Sequence, residues 1–190
     1  MKIKVSEIVS KVFALLDENE TILEERVEYG DPGTMVRPLI EDLLPDAARV
    51  TISNAPLRQI DDCRHLRPGV TAGPGEAAYR LPDDFLRLVY VKMSDWSSGV
   101  VSPLSYDGEE YRLRLNRKSA ARRRRAAVAI SYRGDERYLE VFGSDTSATL
   151  TALDYVQVPS VQGQYIDLPP ALVSDVCART AEMVSAVIGG

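Results

Sequence analysis

The chain has 190 residues, of which 45% are hydrophobic, enough for one domain or for one core carrying a sizeable insertion. No apolar run approaches the length of a bilayer span, which excludes a membrane-spanning helix. One histidine and two distant cysteines, Cys63 and Cys177, form neither a disulfide framework nor a metal motif, so no metal and no other cofactor is expected.

The opening residues, MKIKVSEIVSKVFALLDENE, lack a continuous apolar core and a small-residue cleavage site, so they do not read as a signal peptide and cytoplasmic synthesis is expected. Within them the spacing of Ile8, Val12, Leu15 and Leu16 predicts an amphipathic helix over 5–17. Gly30-Asp31-Pro32-Gly33 is a break. Thr34 then caps a second helix along Val36, Leu39, Ile40, Leu43, Leu44, Ala47 and Ala48, with Pro38 near its start. Pro45 predicts a kink, or two helices abutting near Leu44, and the helical pattern fades over 50–54. Weak periodicity and the Pro-Gly pairs of 57–78 read as a linker or exposed loop, with His65 a surface residue at its start.

A strand-rich half follows. Pro82-Asp83-Asp84 is a turn-like or short helical entry to a strand with apolar groups on both faces, Leu86, Leu88 and Tyr90 on one, Val89, Val91 and Met93 on the other. Adjacent aspartates point to opposite sides of an extended chain, so a turn role is expected of them rather than metal binding. Further strands are predicted over 126–132, 137–142 and 153–158. Pro169-Pro170 then starts a last helix, with an apolar stripe of Leu172, Val173, Val176, Cys177, Thr180, Met183, Val184 and Val187.

The net charge of −5 hides a strong division. Nine basic residues and no acid lie between Tyr111 and Gly134: Arg112, Arg114, Arg117, Lys118, Arg122, Arg123, Arg124, Arg125 and Arg133. The rest of the chain keeps 14 of the 23 Lys and Arg against all 28 acids, a formal charge of −14. Alternation of Tyr111, Leu113 and Leu115 with Arg112, Arg114 and Asn116 reads as a strand, making 111–134 a basic hairpin. Its tip must be solvated, paired with acids, or set against phosphate, because an unpaired guanidinium is costly to bury. No aromatic interleaves with the arginines, which argues against a base-stacking groove there.

The expected fold is α+β. Residues 1–78 supply helices and a linker, 79–164 an inserted antiparallel β module with the basic hairpin, and 165–190 a helix that returns to a helical bundle.

Four stretches carry a resemblance: VSEIVSKVFALLDE, MVRPLIEDLLPDAARV, LPDDFLRLVYVKMSDW, and DYVQVP with IDLPPALVSDVCARTAEMV. In their order they resemble the bacteriophage head-to-tail adaptor (connector) proteins of short-tailed and related phages. The resemblance implies a non-enzymatic virion protein at the head-tail junction. It implies a homo-oligomeric ring, usually a dodecamer, around the DNA channel, with the portal protein above and tail or neck proteins below. It maps no family-defined functional residue onto this chain. Read on the residues alone, Arg112, Arg114, Arg117, Lys118, Arg122, Arg123, Arg124 and Arg125 are candidates for a subunit contact or a DNA-proximal surface. A nucleic-acid-binding protein using the same arginines is the alternative. An enzyme is disfavoured by the absence of a nucleophile-base or metal constellation.

Overall fold

Helix-period and strand-period segments separate along this chain, and the structure, a computed structural model, sorts them into two units. It describes residues 1–17, 32–60, 64–67, 78–116 and 125–189. One unit is Met1–Cys63 with Val158–Gly190; the other is Arg64–Gln157. Helices and antiparallel sheets are both present, so the fold is α+β.

In the discontinuous unit a short strand, β1 (Lys2–Lys4), leads directly into α1 (Val5–Asp17). The second helix, α2, runs Pro32–Asn54, and the last, here α4, runs Val173–Gly189 after a single 3-10 turn at Pro170–Leu172. Helix α4 touches both α1 and α2. The contact faces follow the helical period: Ile8, Val12 and Leu16 on α1, Ile40, Leu44, Ala47 and Ala48 on α2, and Val176, Cys177, Thr180 and Val184 on α4 are buried. Each large apolar side chain buried in this way contributes about 1.5–3 kcal/mol. The Thr180 hydroxyl, inside that face, donates to the Val176 carbonyl at 2.7 Å, so it is not stranded. The stripe stops short of its expected end, because Val187 is exposed.

The expected start of α2 needs correction, and one of the two outcomes expected at Pro45 is excluded. The helix begins at Pro32 rather than after Thr34, using a proline where its missing N–H has no intrahelical acceptor. Pro38 is therefore in the helix interior, and no second helix starts at Pro45: one helix continues to Asn54. The burial of Leu44, Ala47, Ala48 and Ile52 on both sides of Pro45 offsets the backbone hydrogen bond that proline forfeits. The region expected to be a linker holds a 3-10 turn at Leu57–Gln59 and a strand, β2 (Arg64–Arg67), whose backbone pairs His65 with Tyr155.

Two further short strands, β8 (Val161–Gln162) and β9 (Tyr165–Asp167), form a hairpin turning at Gly163, whose φ of 61° favours glycine. Strand β9 pairs with β1, Lys4 opposite Tyr165 and Lys2 opposite Asp167. The seam is fastened by the Val5 N–H donating to the Gln164 carbonyl at 2.9 Å and the Leu168 N–H donating to the Met1 carbonyl at 3.1 Å.

The contiguous unit is built from two three-stranded antiparallel sheets over one core. Strands β3 (Ala78–Arg80), β6 (Glu136–Phe142) and β5 (Ala127–Arg133) are ordered β3-β6-β5. Strands β2, β7 (Leu150–Gln157) and β4 (Phe85–Met93) are ordered β2-β7-β4. Tyr79, Phe85, Leu88, Val91, Val128, Leu139, Leu153 and Tyr155 pack together between them. The apolar groups on both faces of β4 have a specific cause: its pairing with β7 slips three times, so inward positions do not keep a strict period of two. The expected turn at Pro82-Asp83-Asp84 is present, and the Asp84 carboxylate accepts from the Tyr155 hydroxyl at 3.0 Å and from the Gln157 amide. Arg137 reaches the same turn from β6, donating to the carbonyls of Phe85 and, at 3.0 Å, Asp83.

Candidate functional site

The cationic stretch begins where the chain leaves Gly108 in an extended conformation and enters a helix, α3 (Glu109–Leu115). This overturns the expected strand, and with it the basic hairpin over 111–134. Acids Glu109 and Glu110 occupy the first turn and Arg112 and Arg114 the last, the arrangement that complements a helix dipole. The inward residues are Tyr111 and Arg114, three apart, while Leu115 is exposed. The hairpin actually made in this region is β5–β6, turning at Gly134-Asp135.

Alternation along β5 explains how α3 is held. Val128 belongs to the core between the sheets; Ala127, Ala129 and Ser131 point the other way and are small. On that outer side Tyr111 donates its hydroxyl to Glu140 at 2.7 Å and meets the Phe142 ring edge-on at 6.0 Å. Tyr106 packs against Tyr111 at 4.8 Å. Burial, reinforced by the hydrogen bond to the Glu140 carboxylate and its negative charge, holds the Tyr111 phenol far above its ordinary range.

Arg114 is 6% exposed. Its Nε donates to Glu110 Oε1 at 3.0 Å and its Nη1 to the Arg125 carbonyl at 2.7 Å. The guanidinium thus joins the end of α3 to the residue that leads into β5. Beside it opens a cleft of about 640 Å³, lined by Trp96, Ser98, Val100, Leu104, Arg114 and Arg125 among others. Trp96 anchors one wall through its indole N–H, which donates to the Gly143 carbonyl at 3.2 Å. Gly99 lies flat on the Tyr90 ring, where a Cβ would come within 2.2 Å of Cε2. Asp95 accepts from the Ser144 hydroxyl and the Asp145 N–H, both at 2.8 Å. Burial raises its pKa, but those bonds outweigh burial and hold the carboxyl below its usual range.

Of the sequence-identified cations, Arg112 and Arg125 are exposed, and Arg114 is buried within its own chain. Arg117, Lys118, Arg122, Arg123 and Arg124 lie outside the described residues. Arg133, at the far end of β5, stacks over the Tyr138 ring at 4.6 Å. Among the described residues no group of three His, Cys, Asp or Glu is placed to hold a metal ion, and no helix is long and apolar enough to cross a membrane. Sequence reading missed the inward role of Arg114; the signal was present as Glu110 and Arg114 at helical i,i+4 spacing behind the Gly108 break.

No family model matches the sequence, and no curated protein shows significant similarity to it.

Proposed function

We propose that this chain is a structural subunit of a phage head-to-tail connector, assembling as a homo-oligomeric ring between portal and tail and acting without catalysis. In this reading α1, α2 and α4 form a helical bundle into which the β unit is inserted. Exposed Arg112 and Arg125, with Arg117, Lys118 and Arg122–Arg124, meet the acidic surface of a neighbouring copy or face the DNA channel.

One observation supports this most: the charge division has a structural footing. A chain at −14 elsewhere carries a nine-cation stretch. The base of that stretch is fixed to the sheet unit by Arg114 and Tyr111 rather than left to solvent. A cationic stretch with an anchored base and an anionic body on each copy supply both halves of a repeated contact. The anionic body also disfavours tight retention of DNA passing through a ring.

Light scattering over a salt series, on the protein alone and with the portal of the same genome, tests this. A ring-sized species, or portal-dependent assembly weakened by salt and by Arg122–Arg125→Ala, is the expected result. A monomer that ignores the portal but binds DNA with a steep salt dependence would replace the connector with a nucleic-acid-binding protein.

A further inference from the structure

Remote from the arginines in sequence, the discontinuous unit holds a second cationic feature. A groove of about 510 Å³ is lined by β1, the exposed side of α1, β9 and the start of α4. Strand alternation turns Lys2 and Lys4 outward together and Ile3 inward. Lys11 joins them from α1, and Tyr165, directly across from Lys4 in the β1–β9 register, is 41% exposed at the rim. Ile3 and Val173 make an apolar floor.

Among the described residues, none of the three lysines has an ion-pair partner. Among the described residues that line it, Glu7 is the one carboxylate beside Lys2, Lys4 and Lys11, and Asp167 stands opposite Lys2 in the β1–β9 register. The Met1 amino group is already engaged by Asp167 at 2.7 Å.

We propose that this groove binds a short stretch of single-stranded nucleic acid, with Lys2, Lys4 and Lys11 on successive phosphates and Tyr165 stacking on a base. Unpaired ammonium groups around a concave surface attract any polyanion, but the exposed ring selects among them. A base has a π-face for Tyr165 to cover, whatever the sequence, whereas an acidic peptide answers the lysines alone. The arginine-rich stretch has the charge without an interleaved aromatic; this groove has both. The proposal does not depend on the connector reading, since it uses none of the arginines.

The test is fluorescence anisotropy of a labelled oligothymidylate of about ten nucleotides, within the site sizes such grooves cover. The full chain carrying Arg122–Arg125→Ala is used, so that the arginine run does not dominate the signal. Binding is expected to fall with salt, with a log–log slope of about −2 for three phosphate contacts at about 0.7 each. Lys4→Gln and Lys11→Gln should each make the slope shallower by about 0.7. Tyr165→Ala should weaken binding by about ten-fold or more, while Tyr165→Phe keeps it, with unchanged circular dichroism and melting as the control on folding. Absence of binding, or binding indifferent to Lys4, Lys11 and Tyr165, overturns the proposal. So does an oligoglutamate of equal length that binds more tightly than the oligonucleotide. Ring assembly with the portal is read separately and stands or falls independently.

Discussion

Arg114 Nη1 donates to the Arg125 carbonyl at 2.7 Å, so one arginine of the cationic stretch fastens the end of α3 to the residue that leads into β5. The same guanidinium engages Glu110, whose side chain is 40% exposed. Arg114→Ala strands the Arg125 carbonyl and removes a charge-assisted bond, which is expected to destabilise the contiguous unit by about 2 kcal/mol. Arg112→Ala, on the exposed side of the same helix, should stay within about 0.5 kcal/mol of the parent. Urea unfolding of the two variants separates a clamp from a merely cationic neighbour: equal effects would remove the clamp.

Tyr111 makes a prediction in the alkaline range. Its folded pKa is raised above the ordinary value of 10.0, by burial first and then by Glu140. The folded state therefore favours the protonated phenol. Its contribution to stability is fully present below pH 10.0 and is lost as pH rises from there through the folded value. Tyr111→Phe is expected to flatten this alkaline loss while costing about 1 kcal/mol at neutral pH through the missing hydrogen bond. Thermal melts across the alkaline limb check it; identical pH profiles for parent and variant would rule it out.

Cys177 should behave as an inert thiol. Burial on α4 pushes its pKa up, against a smaller opposing influence from the Lys11 charge. In a Cys63→Ser background, Ellman's reagent is expected to find no reactive thiol in the folded protein at pH 8 or 9 and a full equivalent after denaturation. Rapid reaction without denaturant would mean that α4 opens locally far more often than its burial suggests.

Gly99 and Tyr90 should be energetically coupled. Gly99→Ala places a Cβ where the Tyr90 ring lies, and the ring must swing away. The expected cost is about 1–3 kcal/mol. On a Tyr90→Ala background the same change should cost almost nothing. A double-mutant cycle with no coupling would show that the ring moves freely.

Much of the fold was legible because long elements carry their own period. Helices α1 and α4 show continuous apolar faces in the sequence, and strands β4, β5, β6 and β7 are punctuated by Gly, Pro and Asp turns. Strands β1, β8 and β9 were not legible, since two or three residues are too few to establish an alternation, and their pairing is decided by partners far away in the chain. Helix α3 was misread for a related reason. Over seven residues, Tyr111, Leu113 and Leu115 fit a period of two, while the pair that turns inward, Tyr111 and Arg114, obeys the helical one. The cationic stretch itself was visible from composition alone. The inward turn of Arg114 was not, because its acceptor is a carbonyl brought near by the fold. The lysine groove was equally hidden: Lys4 and Tyr165 meet only through the register of β1 and β9.

The pairing of β1 with β9 sets an order on biosynthesis. Residues 64–157 are contiguous and hold their own core, so this unit has every partner it needs soon after Gln157 leaves the ribosome. Helices α1 and α2, made earlier, must wait for α4, which packs on both, and β1 must wait for β9. Helices α1 and α2, made before the sheet unit, thus wait longer than it does for their last partner, and during that interval their apolar faces are what a chaperone would meet.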